Sequence, residues 1–128
     1  MASREPRKAA IVATETGLEF SILSYFPSII NQHGINIAVI VVGGGSAEVQ
    51  FVPDWKSVLA IDPLADVELL TSLADEIRET LKSPYEGDKL LGTMQLSWSN
   101  AIRLSTWKGC LTDDRASEME KLAAQYLA

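Results

Sequence analysis

One cysteine, Cys110, and one histidine, His33, are all that the 128 residues carry of the two residue types most used for nucleophilic and metal chemistry. A single cysteine excludes an internal disulfide and any multi-cysteine metal site. A nucleophilic Cys110 would want a histidine, and only His33 is present, so the simpler reading is a small, part-buried loop residue. Long apolar runs are also missing. The longest, residues 37–42, is strand-length, well short of the ~20 residues that a membrane helix needs. The apolar stretch at residues 9–13 is too short for a secretory signal and Glu15 follows at once, so a cytoplasmic protein with no membrane partner is expected. Basic residues are outnumbered, 11 against 17 acidic, for a net charge of −6. That balance disfavours nonspecific nucleic-acid binding, which depends on neutralising phosphates. An acidic surface suits a basic protein partner, or simply solubility.

Hydrophobic residues are present in quantity, at 47%, which supports one domain with a real core. Residues 1–8, with Arg4, Arg7 and Lys8, read as a disordered basic tail, and residues 9–128 as a single domain. Residues 9–14 suggest a short first strand, followed by a turn at 15–17. In LEFSILSYF (18–26) Leu18, Phe20 and Ile22 alternate with Glu19 and Ser21, which is strand periodicity, and Pro27 ends it. The unbroken apolar run at 37–42 predicts a central strand covered on both faces. Residues 47–52 alternate and predict a half-exposed strand. Asp54 caps a short helix at 55–60. Asp62-Pro63 then starts a main helix that reaches about Lys82, with a stripe of Leu64, Val67, Leu70, Leu73, Ile77 and Leu81. TMQLSW (93–98) and AIRLSTW (101–107) alternate around Ser99-Asn100 and predict an antiparallel hairpin, with Trp98 in the core. Thr112 or Asp113 caps a last helix that reaches about Leu127. The order predicts an α+β domain: an antiparallel sheet of about five strands with two main helices packed on one face.

Gly43-Gly44-Gly45 follows a strand and invites a phosphate-loop reading. A Walker loop needs G-x-x-x-x-G-K-[ST], and no lysine follows until Lys56. The dinucleotide fingerprint G-x-G-x-x-G fails at Glu48. Anion sites of this kind also need a helix start, whereas a strand follows here. The glycines therefore read as a hairpin turn. No HExxH, GxSxG or zinc spacing occurs, and no cofactor or metal is expected.

The remaining candidates are binding residues, with no catalytic assignment. His33 and Asn36, with Asn31 and Gln32, form a polar cluster that lines a small pocket or satisfies loop backbone. Asp113 and Asp114 read first as cap and dipole partners of the last helix. Trp107 falls by alternation on the face of Arg103, near Lys108, where an exposed Trp–Arg pair would anchor a partner. The alternative is a ring that covers the sheet edge.

The string FSILSYFPSIINQHGINIAVIVV resembles the opening of the bacterial domain-of-unknown-function family 3037. Ser21-Ile22-Leu23-Ser24-Tyr25-Phe26-Pro27 is similar to the family's Y-S-I-L-R-Y-V-P. Ile35-Asn36-Ile37-Ala38-Val39-Ile40 is similar to F-V-N-V-G-V-V-L, with Ala38 where glycine is usual. The likeness continues through ADVELL (65–70) and NAIRLSTWKGCLTDD (100–114), and covers about residues 18–127. It implies the order of elements and no activity. Members are often encoded beside a HipA-like kinase, which implies a kinase-like partner.

Three functions follow as expectations. The first is a small non-enzymatic protein-interaction module, an accessory of a kinase-like partner, with a homodimer as its simplest assembly. The second is an enzyme of unrecognised type, with His33 and Asn36 converging on Asp113 or Asp114. The third is an acidic phage-type inhibitor that mimics nucleic acid through Glu68, Asp75, Glu76 and Glu79. A solvated helix face explains those acids more simply.

Overall fold

A computed structural model describes residues 18–27, 34–43, 45–97, 102–110 and 114–127. The strand predicted at 9–14, the turn predicted at Ser99-Asn100, the core place of Trp98, and the cap at Thr112 or Asp113 lie outside these residues. The elements run β1 (Glu19–Tyr25), β2 (Ile35–Gly43), β3 (Ser46–Phe51), α1 (Lys56–Ile61), α2 (Val67–Leu81), α3 (Pro84–Ser97), β4 (Ile102–Leu104), β5 (Lys108–Gly109) and α4 (Arg115–Tyr126). The strands form one antiparallel sheet in the order β3-β2-β1-β4, with β5 also on β1. The α+β class and the five-stranded antiparallel sheet match the sequence reading.

β2 is the centre. Residues 37–42 are at most 1% exposed, because both faces of this strand are covered. On one face Leu23, Ala38, Ile40 and Val42 pack with Val58 of α1, Leu70, Ala74, Ile77 and Leu81 of α2, and Leu91 and Met94 of α3. On the other, Leu18, Phe20, Ile22, Val39 and Val41 pack with Met119 and Leu122 of α4. This corrects the expectation of two main helices on one face. An apolar period of two on a half-exposed strand needs one cover, but an unbroken apolar strand needs two.

The strands on either side of the glycines pair as the predicted hairpin. Gly43 pairs with Ser46, Val42 with Ala47 and Ala38 with Phe51, all antiparallel. Gly45 has φ +85°, in the left-handed region that a side chain would strain. Arg115 closes this end: its guanidinium donates to the carbonyls of Val41, Gly43 and Ser46, and its Nε lies 3.5 Å from Glu48 Oε1.

Two helices differ from expectation. α2 begins at Val67, with Asp66 as its cap, the Asp66 carboxylate accepting from the Leu69 amide at 3.0 Å. Asp62 instead accepts from the Leu64 amide and, at 2.9 Å, from the Tyr25 hydroxyl, so Leu64 is left in the connecting turn. Desolvation and the neighbouring Asp62 carboxylate raise the Tyr25 phenol above its ordinary value. Residues 93–97 of the strand predicted at 93–98 are the end of α3. Pro84 suits a first helical position, and Thr93 is the only β-branched residue between Pro84 and Ser97. Met94 satisfies a period of two with Leu96, and a helical step of three with Leu91. The helix prevails because its face meets the core.

Two one-residue bulges set the parity of the sheet. Leu23 pairs with Ala38 but Ser24 with Asn36, so Ile37 is extra. Along the other side β1 passes from Leu23 to Phe20 while its partner passes from Leu104 to Lys108, again one residue more. The second irregularity is held by Ser105. Its hydroxyl accepts from the buried Ile22 amide at 2.8 Å, and Ser21 Oγ donates to the Ser105 carbonyl at 2.6 Å. Ser105→Ala therefore strands a buried amide. It should cost about 1–3 kcal/mol, read as a lower denaturant midpoint at unchanged slope. Ser105→Thr, which keeps the acceptor, should cost clearly less.

Candidate functional site

Asn36 enters the site because of the Ile37 bulge, which turns its side chain to the α4 face. There it accepts from Ser24 Oγ at 3.0 Å and donates to the Tyr126 carbonyl at 3.0 Å, at the C-terminal end of α4. The half-buried amide thus ties two strands to a helix end. Beside it lies a recess of about 270 Å³, lined by Gly34, Ile35, Asn36, Ser57, Tyr126 and Leu127. Asp114 sits at the opposite end of α4. It is the helix cap and accepts from the Ser117 amide at 3.3 Å. The 12 residues of α4 place Asn36 and Asp114 roughly 18 Å apart, so the structure does not bring them together. His33 and Asp113 lie outside the described residues.

Trp107 is not an exposed anchor. It is 8% exposed and packs in the core with Ile102, Leu91 and Met94. Strict alternation from Arg103 put it outside, and the extra residue between β4 and β5 reverses that parity. Arg103 lies over the Phe26 ring, 4.3 Å from its centroid. Phe26 in turn needs Gly34, where a Cβ would stand 2.6 Å from the ring. Arg103 therefore helps hold the ends of the β1–β2 connection. Asp75 pairs with Arg78 at 2.9 Å and Glu79 with Lys82 at 2.8 Å, so this helix face alternates in charge and presents no continuous acidic stripe.

No group of His, Cys, Asp and Glu able to hold a metal occurs among the described residues. Cys110 is half-buried, and its thiol is pushed from 9.0 up to about 11, first by burial and then by its bond to the Glu118 carboxylate. A thiolate is thus disfavoured at neutral pH. Among the described residues the glycine turn makes no anion cradle. The turn offers carbonyl oxygens to Arg115, the opposite polarity.

Two surface features remain. A groove of about 600 Å³ runs between α4 and β3, with Glu48, Gln50 and Phe51 on one side and Met119, Glu120 and Ala123 on the other. The second is apolar. Leu59 and Ile61 at the end of α1, Leu64 in the turn and Leu69 in the first turn of α2 are four of the five exposed large hydrophobic residues among those described. Leu64 is 92% exposed and Leu69 64%. Asp62, Asp66 and Glu68 are interspersed with them. The sequence reading missed this corner because it placed Leu64 on the buried stripe; Asp66, three residues before Leu69, was the available sign of a later helix start.

The thiol chemistry is directly measurable. Alkylation of Cys110 at pH 8 should be roughly a hundredfold slower in the folded chain than in urea, and its rate should keep rising with pH toward about 11. A plateau near 9 would contradict the buried thiol–carboxylate contact. The linked stability is intact below 9.0, the unfolded value, and is lost as pH rises through about 11, because the folded state holds its proton longer.

A family model described as a protein of unknown function, DUF3037, matches residues 20–127. No curated protein and no solved structure matches.

Proposed function

The chain belongs to the DUF3037 family, and from that premise we propose that it is a small bacterial, cytoplasmic, non-enzymatic interaction module that docks a protein partner at the α1–α2 corner. The observation that carries this reading is the exposure of Leu59, Ile61, Leu64 and Leu69 around one connection. Isolated surface leucines are ordinary, but clustered ones mark interaction sites. The acids Asp62, Asp66 and Glu68 among them favour a partner whose apolar anchor is flanked by Lys or Arg. The family's gene neighbourhood suggests a HipA-like kinase as that partner. The chemistry of the described residues supports a binding role over catalysis: Asn36 is held between the Ser24 hydroxyl and the Tyr126 carbonyl, Asp114 caps α4, and the one thiol is held protonated.

Capture from the native host with the full chain tests this reading. Leu64→Asp with Leu69→Asp should lose the captured partner, with affinity falling at least about tenfold. Both side chains point to solvent, so stability should stay within about 0.5 kcal/mol. Failure to capture a partner, or equal capture by the double variant, would reject the corner as the docking site.

A further inference from the structure

Asp62 joins the apolar corner to the sheet. Its amide donates to the Val58 carbonyl at 2.8 Å and closes α1. Its carbonyl accepts from the Ala65 amide at 3.0 Å, and its Oδ1 from the Leu64 amide at 3.3 Å. Those bonds stay local to α1 and the turn after it. Another comes from β1: the Tyr25 hydroxyl, 37 residues away in the chain, donates to Asp62 Oδ2 at 2.9 Å. Tyr25 is itself fixed on both sides, pairing with Ile35 of β2 and with Ile102 of β4. Its ring packs on the core face that α1, α2 and α3 cover.

We propose that Tyr25 is a positioning residue for the docking corner, its phenol holding Asp62 so that the turn presents Leu64 in one preset place. This rests on the reading of the corner as a docking site. Leu64 is 92% exposed, yet the chain on either side of it is held. Asp62 is tied to β1 on one side, and on the other Ala65 is partly buried against the core. Pro63 narrows the path between them, because its ring fixes φ near roughly −65°. The helices are joined as well. Trp55 Nε1, at the start of α1, donates to Thr71 Oγ1 of α2 at 3.1 Å, which braces the elements that carry Leu59 and Leu69.

A leucine held in water contributes no burial to folding. Its fixed setting counts when a partner covers it, because less chain must be ordered at that moment. The Tyr25 bond is suited to the task. A hydroxyl that donates to a carboxylate makes a stronger bond than one between neutral groups. Burial, and then the Asp62 carboxylate, hold the phenol above its ordinary value, so it stays a donor across the neutral range. With phenylalanine at this position the ring still fills its place in the core. The Asp62 carboxylate then loses its anchor on the sheet, and its bond to the Leu64 amide weakens with it.

Tyr25→Phe in the full chain tests the proposal twice. Amide exchange reads the turn without a partner. Leu64 and Ala65 should exchange at least about tenfold faster in the variant, while the amides of residues 37–42 stay protected. The partner recovered by the capture described above, once purified, reads the docking. Tyr25→Phe should weaken its binding about three- to tenfold. That loss should vanish in a Leu64→Ala background, because Tyr25 acts through Leu64. A tyrosine with a purely structural role would give the same loss in both backgrounds. Unchanged exchange at Leu64 and Ala65, or an equal loss with and without Leu64, would overturn the proposal. The two readings separate cleanly. If Leu64→Asp with Leu69→Asp leaves capture intact, the docking corner is refuted and the role of Tyr25 with it. If that pair abolishes capture while Tyr25→Phe binds like the unaltered chain, the corner stands and the role of Tyr25 alone is refuted.

Discussion

Burial of β2 on both faces is the constraint from which the rest of the fold follows. Six successive apolar residues, 37–42, leave neither side of the strand able to face water. One side is closed by α1, α2 and α3, which follow β3 in sequence. The other requires an element that can cross to the far face, and among the described residues α4 does so. Arg115 then fastens the start of that helix to the turn carbonyls, and Asn36 fastens its end at the Tyr126 carbonyl. Arg115 and Asn36 therefore serve to dock α4.

Much of this was legible in the sequence where one periodicity acts alone. β1, β2, β3, the glycine turn and the last helix follow from local pattern, because each satisfies a single rule of alternation, run length or helical step. Met94 failed because it fits two periods, and the choice between them is made by the core that Leu91 and Met94 enter. Trp107 failed for a different reason. It stands beyond a bulge, and one extra residue reverses every side chain after it. Bulges are fixed by contacts such as that of Ser105 with Ile22, far apart in sequence, so alternation counted from one end cannot see them. Arg115 and Gly43 are distant in the same way.

The same reasoning separates scaffold from surface. Asp114, Asn36, Arg103 and Cys110 serve the scaffold, as a helix cap, a carbonyl tie, a ring stack and a protonated thiol. What the scaffold leaves outward is the α1–α2 corner, where the Asp66 cap delays the helix and exposes Leu64. A local rule of helix capping thus decides where the domain presents its apolar surface, and that surface is the basis for reading it as a binding module.

The central claim is that the sheet is clad on both faces, with α4 covering the second. Methyl nuclear Overhauser contacts measure this directly. Val39 and Val41 should show cross-peaks to Met119 and Leu122, and none to Ile77 or Leu91. Cross-peaks from Val39 or Val41 to Ile77, or their absence to Leu122, would contradict the two-sided arrangement.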